Sequence, residues 1–137
     1  MEKKTTIVLL THGGWGMSLV KSLGMILGKI ECVHEIPLEP SYTLSDYMGM
    51  VREYVETIST DSLIMTDLIG GTPSNVAAVI GNQTGIHVFC GLNAPMLLEA
   101  CVELQSAGHI DYDVVLEAGQ SACKDVIEAV RETARNQ

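Results

Sequence analysis

Ile7-Val8-Leu9-Leu10-Thr11-His12-Gly13-Gly14-Trp15-Gly16 is the stretch on which the reading of this chain turns. Thr5–Thr11 has the apolar, β-branched character of a buried strand, and Trp15–Leu27 has helical spacing and stops at Gly28. Strand, glycine loop and helix in that order open a parallel α/β sheet, in which ligands bind at the carboxyl edge of the strands. His12 stands at that edge. The glycines after it let backbone N–H groups approach an anion, and a histidine so placed can hold, pass or accept a proton or a phosphoryl group.

The same order recurs along the chain. Glu31–Leu38 reads as a second strand, with Pro37 and Pro40 marking its exit. Thr43–Ile58 has a helical apolar face (Leu44, Tyr47, Met48, Val51, Tyr54, Val55, Ile58), with Thr43 or Ser45 to cap it. Ser62–Asp67 is a third strand and Pro73–Ile80 a short helix, with Thr72 as N-cap and Pro73 in its first position. Gly85–Gly91 contains a fourth strand, and Pro95–Ala107 the helix after it. Four β-α units in series imply a parallel sheet with right-handed crossovers and helices on both faces. From Ile110 to Gln137 the apolar residues fit strand and helix equally well.

Composition narrows the classes of function. The chain has 137 residues, 47% apolar and 18% charged, the size and make-up of one domain with a real core. A net charge of −9, with only Lys3 and Lys4 adjacent among the basic residues, speaks against a nucleic-acid surface. No secretory signal precedes Ile7. Leu68–Leu98 lacks Asp, Glu, Lys and Arg, but its glycines, prolines and amides read as two buried elements joined by loops and not as a membrane span. Cysteines 32, 90, 101 and 123 have no C-x-x-C spacing and read as buried free thiols of a reducing cytoplasm.

Asp67 closes the third strand and is followed by Leu68-Ile69-Gly70-Gly71-Thr72-Pro73-Ser74-Asn75. If the first and third strands are neighbours, His12 and Asp67 emerge side by side. The carboxylate then accepts the Nδ1 proton, fixes the tautomer and leaves the Nε2 lone pair to attack. Two glycine loops and the N-terminus of the helix after Thr72 supply N–H donors for incoming oxygens. His34 and His87, within strands, and His109, in a polar turn, read as structural. So does Trp15, as plain packing at the loop. Nucleotide motifs fail: Leu19 stands where G-x-G-x-x-G needs its third glycine, and there is neither a P-loop nor a G-x-S-x-G elbow. No His/Cys/carboxylate cluster has metal-ligand spacing.

Three pieces taken together resemble a known family: Thr11-His12-Gly13, Thr66 through Asn75, and Gly91-Leu92-Asn93-Ala94-Pro95-Met96-Leu97-Leu98-Glu99. Their order and spacing are similar to the IIA component of the mannose-type bacterial sugar phosphotransferase system. The resemblance implies that His12 is phosphorylated at Nε2, that Asp67 orients it, and that Gly13, Gly71, Thr72 and the adjacent backbone hold the phosphoryl group. It implies a doubly wound sheet of order 2-1-3-4 with a fifth, antiparallel edge strand, here Lys124–Val130, exchanged across a homodimer. The implied donor is the histidine phosphocarrier HPr and the acceptor a histidine of a IIB component. Membrane components IIC and IID would take part only indirectly, and no cofactor is needed. The expectation is one cytoplasmic IIA domain over residues 1–137; that no kinase, DNA-binding or IIB domain is attached favours a free-standing relay, with a fragment cut from a larger protein as the open alternative.

Two rivals stay open at this point. Domains of similar fold relay phosphate in dihydroxyacetone phosphorylation or act as phosphorylation-dependent regulators. In a different class, the glycine loops would hold a small anion without any transfer. The sugar is not legible, because specificity resides mainly in the membrane components.

Overall fold

The apolar run that opens the chain becomes the central strand of the sheet. The computed structural model describes residues 2–137. Strand β1 (Ile7–His12) has Ile7, Val8, Leu9 and Leu10 fully buried, as a strand covered on both faces must. It is followed by α1 (Gly16–Leu27), β2 (Val33–Leu38), α2 (Leu44–Val55), β3 (Leu63–Thr66), α3 (Thr72–Thr84), β4 (His87–Phe89), α4 (Ala94–Ala107), α5 (Tyr112–Gln120) and α6 (Val126–Arg135). The sheet order is β2-β1-β3-β4, with every pairing parallel.

Alternate residues of the strands feed two cores. Ile7, Leu9, Leu63 and Met65 face α1, α4 and α5, where they meet Val20, Leu23, Leu97, Cys101 and Val115. Val8, Leu10 and Ile64 face α2 and α3, against Tyr47, Val51, Val76 and Ile80. The period-two alternation of a strand thus places helices on both sides of one sheet.

Local chemistry moved some boundaries. Thr43, and not Ser45, caps α2: its side chain accepts from Asp46 N–H at 3.0 Å while Asp46 accepts from Thr43 N–H at 3.1 Å. Pro37 lies inside β2 and does not mark its exit; β2 is an edge strand, where a missing N–H costs no ladder bond. α3 begins at Thr72 with Gly71 as its N-cap, so Thr72 is the first helical residue and not the cap.

The expected antiparallel strand over Lys124–Val130 is absent among the described residues, and most of that segment is the start of α6. Asp125 caps the helix by accepting from Glu128 N–H at 3.0 Å. Glu128 in the first turn pairs with Arg135 in the last at 3.2 Å, each charge placed to suit the helix dipole. Val126, Ile127 and Val130 fall on one side at helical spacing, and no residue of α6 is buried. Among the described residues no helix is long and apolar enough to cross a membrane.

Candidate functional site

β1 and β3 are neighbours in parallel register, with Leu10 opposite Thr66. The residues that follow on each strand therefore leave the sheet together. His12 Nδ1–H donates to Asp67 Oδ2 at 2.9 Å, and the His12 backbone N–H donates to the same oxygen at 2.7 Å. Leu68 N–H binds Oδ1 at 2.8 Å, and Trp15 Nε1–H makes a longer contact to Oδ2 at 3.4 Å. The Asp67 side chain is 5% exposed and that of His12 45%, so the carboxylate is sealed and the ring open to a partner. Burial acts to raise the Asp67 carboxyl, but the hydrogen bonds from His12 and Leu68 outweigh it and hold it below the ordinary aspartate value. With Nδ1–H committed to Asp67, the lone pair is on Nε2.

Gly71 lies against that nitrogen. A Cβ built there would sit 2.9 Å from His12 Cε1 and 3.4 Å from Nε2. Its φ of −86° suits any residue, so the glycine serves close approach and not backbone freedom. The loop that carries it is tied at both ends. Thr66 Oγ1 and Ser74 Oγ lie 2.6 Å apart, and Ser74 Oγ also donates to the Leu68 carbonyl. The first N–H groups of α3, those of Thr72 and Ser74, have no acceptor within the helix, and Pro73 between them has none to satisfy. His12, Gly13, Leu38, Glu39, Pro40, Tyr42, Leu44 and Thr72 line a groove of about 490 Å³ beside the ring.

Gly13 and Gly14 turn the chain out of β1 with φ of +74° and +88°. The Gly13 N–H is donated to Leu38 O at 2.9 Å, which makes its contribution one of shape. Beneath this loop is a residue the sequence reading missed. Glu35, in β2, accepts from Thr11 Oγ1 at 2.5 Å, from Gly16 N–H at 2.7 Å and from Met17 N–H at 3.0 Å. It occupies the N-terminus of α1, and Gly16 is small because a Cβ there would meet the Glu35 carboxylate. The one legible signal was a carboxylate inside a mainly apolar strand, placed opposite Leu9.

Trp15 does more than pack, since its indole N–H reaches Asp67. His34 stands opposite Val8 and His87 opposite Leu63, both toward the other end of the strands from His12. His34 stacks on Tyr54 and His87 on Tyr112, each at 3.8 Å between ring centres. The cysteines were not uniformly buried: Cys101 is, Cys32 is partly so, and Cys90 and Cys123 are exposed.

A family model described as "PTS system fructose IIA component" matches residues 6–116, most of the chain and all of the site. This chain belongs to the mannose-type IIA family of the sugar phosphotransferase system. The sorbose-specific EIIA component of Lacticaseibacillus casei is 32% identical over 98 residues, 70% of this chain and 71% of that protein. The mannose-specific EIIAB component of Escherichia coli K12 is 28% identical over 86% of this chain, which spans only 38% of that longer protein. The crystal structure of a phosphotransferase system EIIA component from Streptococcus agalactiae superposes with a TM-score of 0.80 at 27% identity, covering 90% of this chain and 98% of that one. This IIA component is a phosphotransferase that relays phosphoryl groups in sugar uptake and works with other components of that system.

Proposed function

We propose that His12 is the residue that carries the phosphoryl group, accepting it at Nε2 from HPr and passing it to a histidine of a IIB component. The observation that carries this is the His12–Asp67 pair at 2.9 Å with Nε2 facing outward past Gly71. Nε2 attacks phosphorus in line. The new N–P bond forms as the N–P bond to the donor histidine breaks, and Nδ1–H stays on the ring, held by Asp67. As the ring gains positive character the buried carboxylate stabilises it. The phosphoryl oxygens are received by the N-terminus of α3, with the N–H groups of Thr72 and Ser74 and the Thr72 hydroxyl as donors, Gly71 giving clearance and Gly13 shaping the opposite wall. The transfer runs the same way in reverse when the IIB histidine attacks.

Around His12, Trp15, Met17, Leu44, Leu68 and Ile69 are exposed apolar side chains, Ile69 at 84%. They form the face on which a phosphocarrier and then a IIB component dock, the membrane components IIC and IID being reached only through IIB. The chain acts as a single cytoplasmic IIA domain. Two copies pair through the exposed apolar stripe of α6, which a second chain covers without new sequence.

The experiment is phosphorylation by phosphoenolpyruvate through enzyme I and HPr. Wild type takes up one acid-labile phosphate, and His12→Ala takes up none while keeping its circular dichroism and melting temperature. Label on the variant, or label mapped to His34, His87 or His109, removes the assignment. Saturable anion binding without labelling of the wild type would favour an anion-binding module.

A further inference from the structure

Among the described residues, three N–H groups donate to Asp67 Oδ2: the His12 backbone at 2.7 Å, His12 Nδ1 at 2.9 Å and Trp15 Nε1 at 3.4 Å. Oδ1 accepts from Leu68, the next residue along the chain. Two of the four donors thus belong to His12 itself and one to the loop that Asp67 begins. Trp15 is the donor fastened to a different element. It is the N-cap of α1, and its carbonyl accepts from Leu19 N–H at 3.2 Å. The backbone on either side of it is tied to β2. Before it, Gly13 N–H donates to Leu38 O at 2.9 Å; after it, Gly16 and Met17 N–H donate to the Glu35 carboxylate at 2.7 and 3.0 Å. Between these ties Gly13 and Gly14, both at positive φ, turn the chain so that the edge of the indole comes back to Asp67.

We propose that Trp15 is a positioning residue of the phosphoryl relay, its indole N–H anchoring Asp67 Oδ2 to the start of α1 and so holding His12 Nε2 in line, a role that rests on His12 as the phosphoryl carrier. A carboxylate orients an imidazole only as firmly as it is itself held. Without the indole, every remaining donor to Asp67 among the described residues comes from His12 or from Leu68, and nothing ties the pair to the helix that begins beside it. An N–H donor also favours the charged carboxylate over the neutral acid. Asp67 therefore stays an acceptor, and the proton stays on Nδ1 of the ring. At 3.4 Å the indole contact is the slackest of the three. It can shorten or lengthen as the ring gains and loses positive character, while the shorter His12–Asp67 bonds remain intact.

Trp15 is the single tryptophan of the chain, so its indole can be altered and observed alone. In the full chain it is replaced by benzothienylalanine, in which sulfur stands for the N–H and the ring keeps its size. Single-turnover transfer from phosphorylated HPr is expected to slow by about three- to tenfold, the lower range for a lost hydrogen bond. The HPr concentration giving half the maximal rate should not change, because the apolar ring is still there to dock. Trp15→Phe, which removes the donor and part of the ring, is expected to be at least as slow. A second readout needs no transfer: in the unphosphorylated protein the indole N–H proton resonance is expected to move upfield in Asp67→Ala. Transfer at the wild-type rate by the benzothienyl variant overturns the proposal, as does an indole resonance indifferent to Asp67→Ala. So does a defect confined to the half-saturating concentration, which would make Trp15 a docking residue alone. Failure of the His12 reading shows differently, as wild-type label on another histidine or none at all, and removes the positioning role with it. The isosteric ring preserves the packing surface, so the rate decides even where Asp67→Ala folds poorly.

Discussion

Gly71 and Glu35 show how much of the site depends on residues that do no chemistry. Ala at position 71 keeps the backbone unstrained but puts a methyl 2.9 Å from the His12 ring, which must swing away from Asp67. Gly71→Ala is expected to melt like wild type and to slow single-turnover transfer by about ten- to a hundredfold, the usual cost of an ångström of misplacement. An unchanged rate would show that the ring has room the geometry denies it. Glu35→Ala strips the acceptor from Thr11, Gly16 and Met17. It is expected to lower stability in urea by about 1–2 kcal/mol, the range for a lost helix cap, with Glu35→Gln recovering part of it; a loss within experimental error would refute the capping role. That His12 and Asp67 meet was legible in the sequence because each ends an apolar run, and neighbouring parallel strands release such residues side by side. Glu35 was not, because its partner Gly16 lies 19 residues earlier and only the β1–β2 register brings the two together.

Elements with a strong local pattern were read correctly; where the apolar residues fit two periods the reading stayed open, and the strand implied by the resemblance over Lys124–Val130 is mostly helix. β1 and α2 each carry one unambiguous pattern, reinforced in α2 by the Thr43–Asp46 capping box. In α6 the spacing of Val126, Ile127, Ala129 and Val130 satisfies a strand as well as a helix. What decides is Asp125 at the cap and the absence of an adjacent strand to complete a ladder. Because no α6 residue is buried, a chain ending at Cys123 is expected to lose less than about 0.5 kcal/mol of monomer stability. If the stripe of α6 joins two copies, the same truncation converts a dimer at micromolar concentration into a monomer. Sedimentation equilibrium of both chains checks this. A monomeric full-length chain, or a truncated chain that still dimerises, would count against the pairing.

At the scale of the whole molecule, stability and the site are coupled through pH. Asp67 is held below its ordinary value near 3.8, so the unfolded chain binds its proton first as pH falls. The stability contributed by ionised Asp67 is therefore complete above that value and disappears as pH drops through the lower, folded one. Asp67→Asn has no such contribution to lose. The gap in urea midpoint between wild type and variant is expected to be widest near neutrality and to close below about pH 4. A gap that persists undiminished into stronger acid would mean that the carboxylate charge does not support the fold. The occupied N-terminus of α1 has a consequence of another kind. Of α1 and α3, which both begin beside His12, α3 is the one with its positive end free, since Glu35 already fills that of α1. A cargo that must be surrendered within the same catalytic cycle is poorly served by a receptacle that grips from both sides. If His12 carries the phosphoryl group as proposed, a charge held there with one end cancelled from within sits in a shallower well, and arrival and departure can proceed at comparable speed.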